Sequence, residues 1–169
     1  MDIQRLSAKF GINAEYVREG AFPVFERRIA DKKVLLVADQ TTQRFLPRIE
    51  PVVRASAAHC GTFILPEREP VADKPTVAAV SAAGEGYDYL LAVGAGTLND
   101  LCKYAGFLSH KACGVFATAP SMDGFTSGVT PLIEGGFKTT RPAQTASDVL
   151  MDFDVLCAAP RIMTGAGVG

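Results

Sequence analysis

The stretch Val93-Gly94-Ala95-Gly96-Thr97-Leu98-Asn99-Asp100 decides the fold. An apolar run over residues 87–93 enters it, and an amphipathic segment over residues 98–108 leaves it. That order reads as strand, tight glycine turn and helix. Such a turn gathers backbone N–H groups at a helix N-terminus, where a phosphate meets partial positive charge. Gly94 and Gly96 lack a β-carbon, so the main chain can come close to a ligand there. Thr97 is expected to cap the helix, with Asp100 three residues on completing a capping box. Asp100 is read as a cap because its anion would repel a phosphate. The dinucleotide fingerprint places a third glycine three residues after the second, and here that position is Asn99. A plain strand–helix corner using glycine for steric reasons therefore stays open beside the phosphate reading.

Outward from this turn, apolar runs and amphipathic segments alternate. Residues 33–38, Lys-Val-Leu-Leu-Val-Ala, form a buried strand ending in Asp39. A helix is expected over 41–56, shortened or bent by Pro47 and Pro51. A strand follows over 60–65, a loop over 66–75, a helix over 76–83 and, past the central turn, a strand over 112–117. On the N-terminal side, residues 22–29 have helical spacing with Pro23 tolerated in the first turn. Residues 14–19 read as a short strand and 1–13 as a short helix. The alternation predicts an α/β fold, a Rossmann-like, mainly parallel sheet with flanking helices.

Beyond residue 117 the pattern changes. Residues 118–127 are rich in hydroxyls, with Pro120 and Gly124 as breakers. Two short runs, 129–133 and 137–140, flank Gly135-Gly136 and predict a β-hairpin near the C-terminal end. A strand over 147–153 and a short helix over 155–159 with Asp154 as N-cap are expected next. Gly165-Ala166-Gly167-Val168-Gly169 is neither a polar tail nor a closing strand, and reads as a boundary inside a larger fold.

In parallel sheets ligands bind beyond the carboxyl ends of strands. Asp39, the glycine turn and Thr118-Ala119-Pro120-Ser121 all occupy such ends, which favours a binding site over a steric corner. Asp39 can accept both hydroxyls of an adenosine ribose, favouring NAD over NADP, or it can cap the following helix. Thr118 and Ser121 can donate to a phosphate or a nicotinamide amide, or serve the turn. Asp123 in Ser-Met-Asp-Gly is either an Asx-turn or a carboxylate for a polyol hydroxyl. Lys138 and Arg141 can reach a phosphate or stand as solvated surface charge, and the second reading is preferred.

The 169 residues carry a net charge of −1 and are 48% hydrophobic and 21% charged. These values fit one ordinary globular domain. Lys and Arg are scattered, so neither nucleic acid nor an anionic membrane surface is an expected partner. No apolar run approaches the ~20 residues of a membrane helix, and Met1-Asp2-Ile3-Gln4-Arg5 lacks an apolar signal core. The expected location is the cytoplasm. Four cysteines without a Cys-x-x-Cys pair read as small apolar fillers. His59-Cys60 and His110-x-x-Cys113 read as surface histidines rather than half of a metal site.

The strings Gly94-Ala95-Gly96-Thr97-Leu98-Asn99-Asp100, Thr118-Ala119-Pro120-Ser121-Met122-Asp123-Gly124 and Gly165-Ala166-Gly167-Val168-Gly169 carry a family pattern. The chain resembles the N-terminal part of sn-glycerol-1-phosphate dehydrogenases, within the superfamily of iron-containing alcohol dehydrogenases, glycerol dehydrogenases and dehydroquinate synthases. The resemblance implies an NAD- or NADP-binding domain over 1–169, with a second, helical domain beginning at about residue 155 and otherwise absent. It implies cofactor contacts from Asp39, Gly94, Ala95, Gly96, Thr97, Leu98, Thr118, Ser121 and Ser127, with Asp123 binding substrate. Ala95 stands where the family turn has glycine. The implied reaction is reversible hydride transfer between NAD(P)H and dihydroxyacetone phosphate, giving sn-glycerol 1-phosphate. The resemblance also implies a divalent metal, zinc or nickel, that polarises the carbonyl. The family's Asp and two His metal ligands fall beyond Gly169, so no metal ligand or catalytic residue is implied in this chain, and these residues alone are expected not to turn over substrate. The implied partner is a phosphorylated polyol; a face meant for the missing domain would also favour self-association into a homo-oligomer. The alternatives are a glycerol or other alcohol dehydrogenase of the same superfamily, or a non-catalytic nucleotide-binding module.

Overall fold

The computed structural model describes residues 13–16 and 23–168. The expected helix over 1–13, apart from its last residue, and the tail of the strand expected over 14–19 lie outside the described residues. The strand element that is described, β1, spans Asn13–Tyr16.

Six strands form one parallel sheet: β1, β2 (Lys33–Ala38), β3 (His59–Ile64), β4 (Tyr89–Gly94), β5 (Ala112–Ala117) and β8 (Asp148–Met151). Their order is β1-β8-β5-β4-β2-β3. The central strands β2, β4 and β5 are buried along nearly their whole length. Burial on both faces is why they read as continuous apolar runs rather than alternating ones. Alternate residues feed two cores. Leu35, Val37, Leu90, Ala92 and Val115 pack on one face with helices α3 (Lys74–Ala83) and α4 (Gly96–Ser109). Val34, Leu36, Tyr89, Leu91 and Val93 pack on the other with α1 (Pro23–Ile29) and α2 (Leu46–Ser56). The result is a three-layer α/β sandwich, as the alternation predicts.

Strands β6 (Val129–Glu134) and β7 (Phe137–Pro142) form the separate antiparallel hairpin that was expected. Gly135 and Gly136 both have positive φ, +58° and +83°, the backbone that a two-residue hairpin turn demands. Leu132 anchors the hairpin in the core. Two short helices, α5 (Phe153–Cys157) and α6 (Arg161–Val168), follow β8.

Three local expectations are corrected. Helix 41–56 is split: a 3-10 turn over Thr42–Phe45 precedes α2, which starts just before Pro47 and carries Pro51 inside. The N-cap of α5 is Asp152, not Asp154: Asp152 Oδ1 accepts from the N–H groups of Asp154 and Val155. Arg48 fixes the choice by donating Nε and Nη2 to Asp152 Oδ2, at 2.8 and 2.5 Å. Thr97 does not cap α4. The helix starts at Gly96, its N-cap is Ala95, and no side chain caps it.

Candidate functional site

From β2 the chain moves outward to β3, while β4 lies on the other side of β2. The order therefore reverses between β2 and β4, and the crevice outside their carboxyl ends is where an open α/β sheet binds ligands. A cleft of about 440 Å³ opens there, within the size range of small-molecule sites. Asp39, Ala95, Gly96, Thr97, Leu98, Thr118 and Ser121 all line it, although three separate strand ends supply them.

The first bond of the α4 ladder runs from Asn99 N–H to Ala95 O, at 3.1 Å. The N–H groups of Gly96, Thr97 and Leu98 lie upstream of that ladder, and no side chain hydrogen-bonds to the helix end. A 14-residue helix thus presents an uncapped positive end to the cleft. Gly94 lies beneath the cleft rather than in its wall. A β-carbon there would fall on Leu98 Cδ1 and come within 3.0 Å of Leu98 Cβ. Its glycine is therefore required by packing, while Gly96 lines the cleft and a β-carbon there would meet only the Met122 side chain, its sulfur at 3.0 Å. The two walls are tied at their base, where Thr118 N–H donates to Gly94 O at 3.0 Å.

Asp39 closes its own turn. Its Oδ1 accepts from the N–H groups of Thr41 and Thr42 at 2.8 and 2.6 Å, and its N–H donates to Thr42 Oγ1. It also lines the cleft, so the ribose and capping readings fall on one side chain. Ser127 is placed differently: its hydroxyl donates to Val129 O at 2.8 Å and accepts from Lys103, away from the cleft lining. Asp123 is exposed at the end of the 118–123 wall. It precedes the 3-10 turn Gly124–Thr126 without capping it.

Asp100 turns inward. It is mostly buried and faces Lys103 Nζ at 3.9 Å instead of completing a capping box. Burial raises the Asp100 carboxyl above its ordinary range, opposed by the Lys103 charge. Lys103 is fully buried, and the sequence gives no sign of it. Its ammonium donates to Gly124 O, Ser127 Oγ and Val129 O at 3.3, 3.1 and 2.9 Å. Burial lowers its pKa, partly offset by Asp100. A lysine between Cys102 and Tyr104 looks like a snorkelling surface cation; only the loop folding over it reveals otherwise.

Among the described residues no group of three or more His, Cys, Asp or Glu could hold a metal ion. His59 opens β3 and His110 caps the end of α4 just before β5, both at the amino ends of strands, opposite the carboxyl ends that carry the cleft. The described residues therefore do not fit a metal centre. They do fit a dinucleotide, through the open helix end, Gly96 and the hydroxyls of Thr118 and Ser121. No described helix is long and apolar enough to cross a membrane.

A family model described as iron-containing alcohol dehydrogenase matches residues 16–160. A glycerol-1-phosphate dehydrogenase [NAD(P)+] of Bacillus velezensis is 36% identical over 140 residues, covering 80% of this chain and 36% of that protein. The enzyme of the same name from Bacillus subtilis is 33% identical over 150 residues, covering 86% and 38%. Among solved structures, glycerol dehydrogenase from Schizosaccharomyces pombe superposes with a TM-score of 0.76 at 17% identity, over 93% of this chain and 40% of that one. An iron-containing alcohol dehydrogenase from Thermococcus thioreducens gives 0.73 at 17%, over 89% and 47%. The structural likenesses establish the fold. The chain spans somewhat under two-fifths of the length of these two curated relatives.

Proposed function

The chain belongs to the iron-containing alcohol dehydrogenase family, and from that premise we propose that it holds NAD(P)(H) for a dehydrogenase interconverting dihydroxyacetone phosphate and sn-glycerol 1-phosphate. The observation that carries the cofactor reading is the uncapped N-terminus of α4 in the wall of the switch-point cleft. A diphosphate there accepts from the Gly96, Thr97 and Leu98 N–H groups, and the aligned helix adds up to ~2 kcal/mol of favourable interaction with an anion. Thr118 and Ser121 donate from the facing wall. Asp39 offers its carboxylate to the adenosine ribose. Gly94 and Ala95 shape the turn, and Ser127 acts on the cofactor wall through its place in the loop that Lys103 holds. The substrate reading is supported by the two Bacillus relatives, which are named glycerol-1-phosphate dehydrogenases.

In this reading Asp123, exposed where the cofactor wall ends, takes a substrate hydroxyl. Residues from about 155, including most of α5 and all of α6, begin a second domain. A divalent metal bound to the complete protein would supply Lewis acidity at the ketone, and none of the described residues would hold it. These residues bind and orient; the nicotinamide supplies the hydride.

Fluorescence titration of the 169-residue chain with NADH tests the reading. Saturable binding that Gly96→Val abolishes is the expected result. No saturation up to millimolar NADH refutes it. Turnover of dihydroxyacetone phosphate by these residues alone would refute the division of labour.

A further inference from the structure

Of the two glycines in Gly165-Ala166-Gly167, packing requires only the second. A β-carbon at Gly165 would meet nothing within 4 Å. One at Gly167 would fall on Pro120 O and come within 2.9 Å of the Pro120 carbonyl carbon. Helix α6 therefore touches the 118–123 wall main chain to main chain, a closeness that a side chain would forbid. The wall cannot step aside cheaply. The group met is a backbone carbonyl, its proline has a fixed φ, and the preceding Ala119 is buried.

Met163 stands one turn before Gly167, on the same face of α6. It lines the cleft beside Thr118, Ala119 and Ser121. Thr164 and Gly165 line a separate groove with Pro120, so the helix lies across that residue. Among residues 161–167 only Met163 is partly buried; the others are exposed. The start of the helix is pinned, because the N–H groups of Met163 and Thr164 donate to Pro160 O at 2.8 and 3.3 Å. The α5 turn before it is tied to α2 through Arg48 and Asp152. With one end fixed, the contact at Gly167 sets the tilt of the rest.

The cleft runs across the sheet, from Asp39 beyond β2, past the α4 terminus beyond β4, to Thr118 beyond β5 and Met163 past β8. With adenosine at Asp39 and the diphosphate on α4, the nicotinamide falls at the Met163 end. We propose that Gly167 is a positioning residue: by letting α6 close onto Pro120, it sets how far Met163 enters the cleft, and so the width left for the nicotinamide ring. The Met163 thioether packs against that ring. The proposal rests on the reading of the cleft as a dinucleotide site.

NADH and ADP-ribose, which lacks the nicotinamide, separate the two ends of the cleft. Calorimetric titration of the 169-residue chain with each ligand compares the wild type, Gly167→Ala, Met163→Ala and Gly165→Ala. Thermal melting of each variant runs in parallel. Gly167→Ala is expected to weaken NADH roughly tenfold and to leave ADP-ribose within about twofold. Met163→Ala weakens NADH about threefold and spares ADP-ribose. Gly165→Ala leaves both ligands unchanged. Equal loss of NADH and ADP-ribose in Gly167→Ala would assign the contact to support of the fold alone and overturn the proposal. NADH binding indifferent to Gly167→Ala or to Met163→Ala would overturn it as well. If Gly167→Ala does not fold, the Met163→Ala comparison decides by itself. A wild type that binds neither ligand defeats the dinucleotide reading, and this proposal with it.

Discussion

Lys103 Nζ lies 3.1 Å from Ser127 Oγ, joining the helix that opens into the cleft to the far end of the loop that forms its other wall. The same ammonium satisfies two carbonyls of that loop and faces the buried Asp100. Lys103→Met keeps the chain length and removes every one of these partners. The cost expected is on the order of 3 kcal/mol, since carbonyls and a carboxylate are left buried without their donor. Urea unfolding followed by circular dichroism measures it. A variant within ~1 kcal/mol of the wild type would show that the loop is held by its apolar contacts, chiefly Phe125, instead.

Glu134 gives a pH dependence whose sign follows from its partners. Arg141, Lys74 and Thr139 all donate to its carboxylate and hold it down at about 2. In the unfolded chain a glutamate titrates near 4.3. The folded state therefore binds the proton more weakly, and the pairing stabilises fully above pH ~5. That stabilisation is lost as pH falls from ~4.5 toward 2. The thermal midpoint should drop across this window, and Glu134→Gln should flatten the drop while lowering the plateau above it. An unchanged slope in the glutamine variant would place the acid sensitivity elsewhere.

The thiols divide by burial. Cys60, Cys102 and Cys113 are buried, and Cys157 is exposed. Burial pushes Cys102 well above the ordinary thiol range and Cys113 up to about 12, so neither supplies a thiolate near neutrality. A native thiol titration with an aromatic disulfide should show one fast-reacting group, and Cys157→Ser should remove it. Denaturant should expose all four cysteines. Two or more fast thiols in the native chain would mean that β3, α4 or β5 opens readily.

The parts that were legible in the sequence are those where one physical requirement sets the residue type. Strands buried on both faces must be apolar throughout, so 33–38 and 112–117 stand out with their bounds intact. A two-residue hairpin turn needs positive φ twice, so Gly135-Gly136 announces itself. What was hidden depended on distant partners. Thr97-x-x-Asp100 fits a capping box, but Asp100 is drawn inward by Lys103, and the loop covering Lys103 arrives more than twenty residues later. Asp152 and Asp154 are equivalent candidates locally; Arg48, 104 residues upstream of Asp152, decides between them. Arg44 and Arg68 carry no motif and come to line one cleft where Thr41 and Gln40 bond the carbonyls of Arg68, Glu67 and Leu65.

The two glycines of the central turn should separate stability from binding. Gly94→Ala drives a methyl group into Leu98, whose backbone is fixed in α4 and whose side chain is 2% exposed. Overpacking of this kind costs ~1–3 kcal/mol, so the variant should melt several degrees lower. Gly96→Ala meets only the Met122 sulfur at 3.0 Å, the mobile end of a flexible side chain. Position 96 is also the first turn of a helix, where alanine is favoured over glycine. Its stability should therefore stay within ~0.5 kcal/mol of the wild type or rise. The added methyl nonetheless stands beside the N–H groups that face the cleft, and NADH affinity should fall about tenfold or more if the phosphate seats there. Paired melting curves and NADH titrations on both variants decide the matter. A Gly96→Ala chain that binds NADH as well as the wild type would mean that the diphosphate does not rest on this helix end.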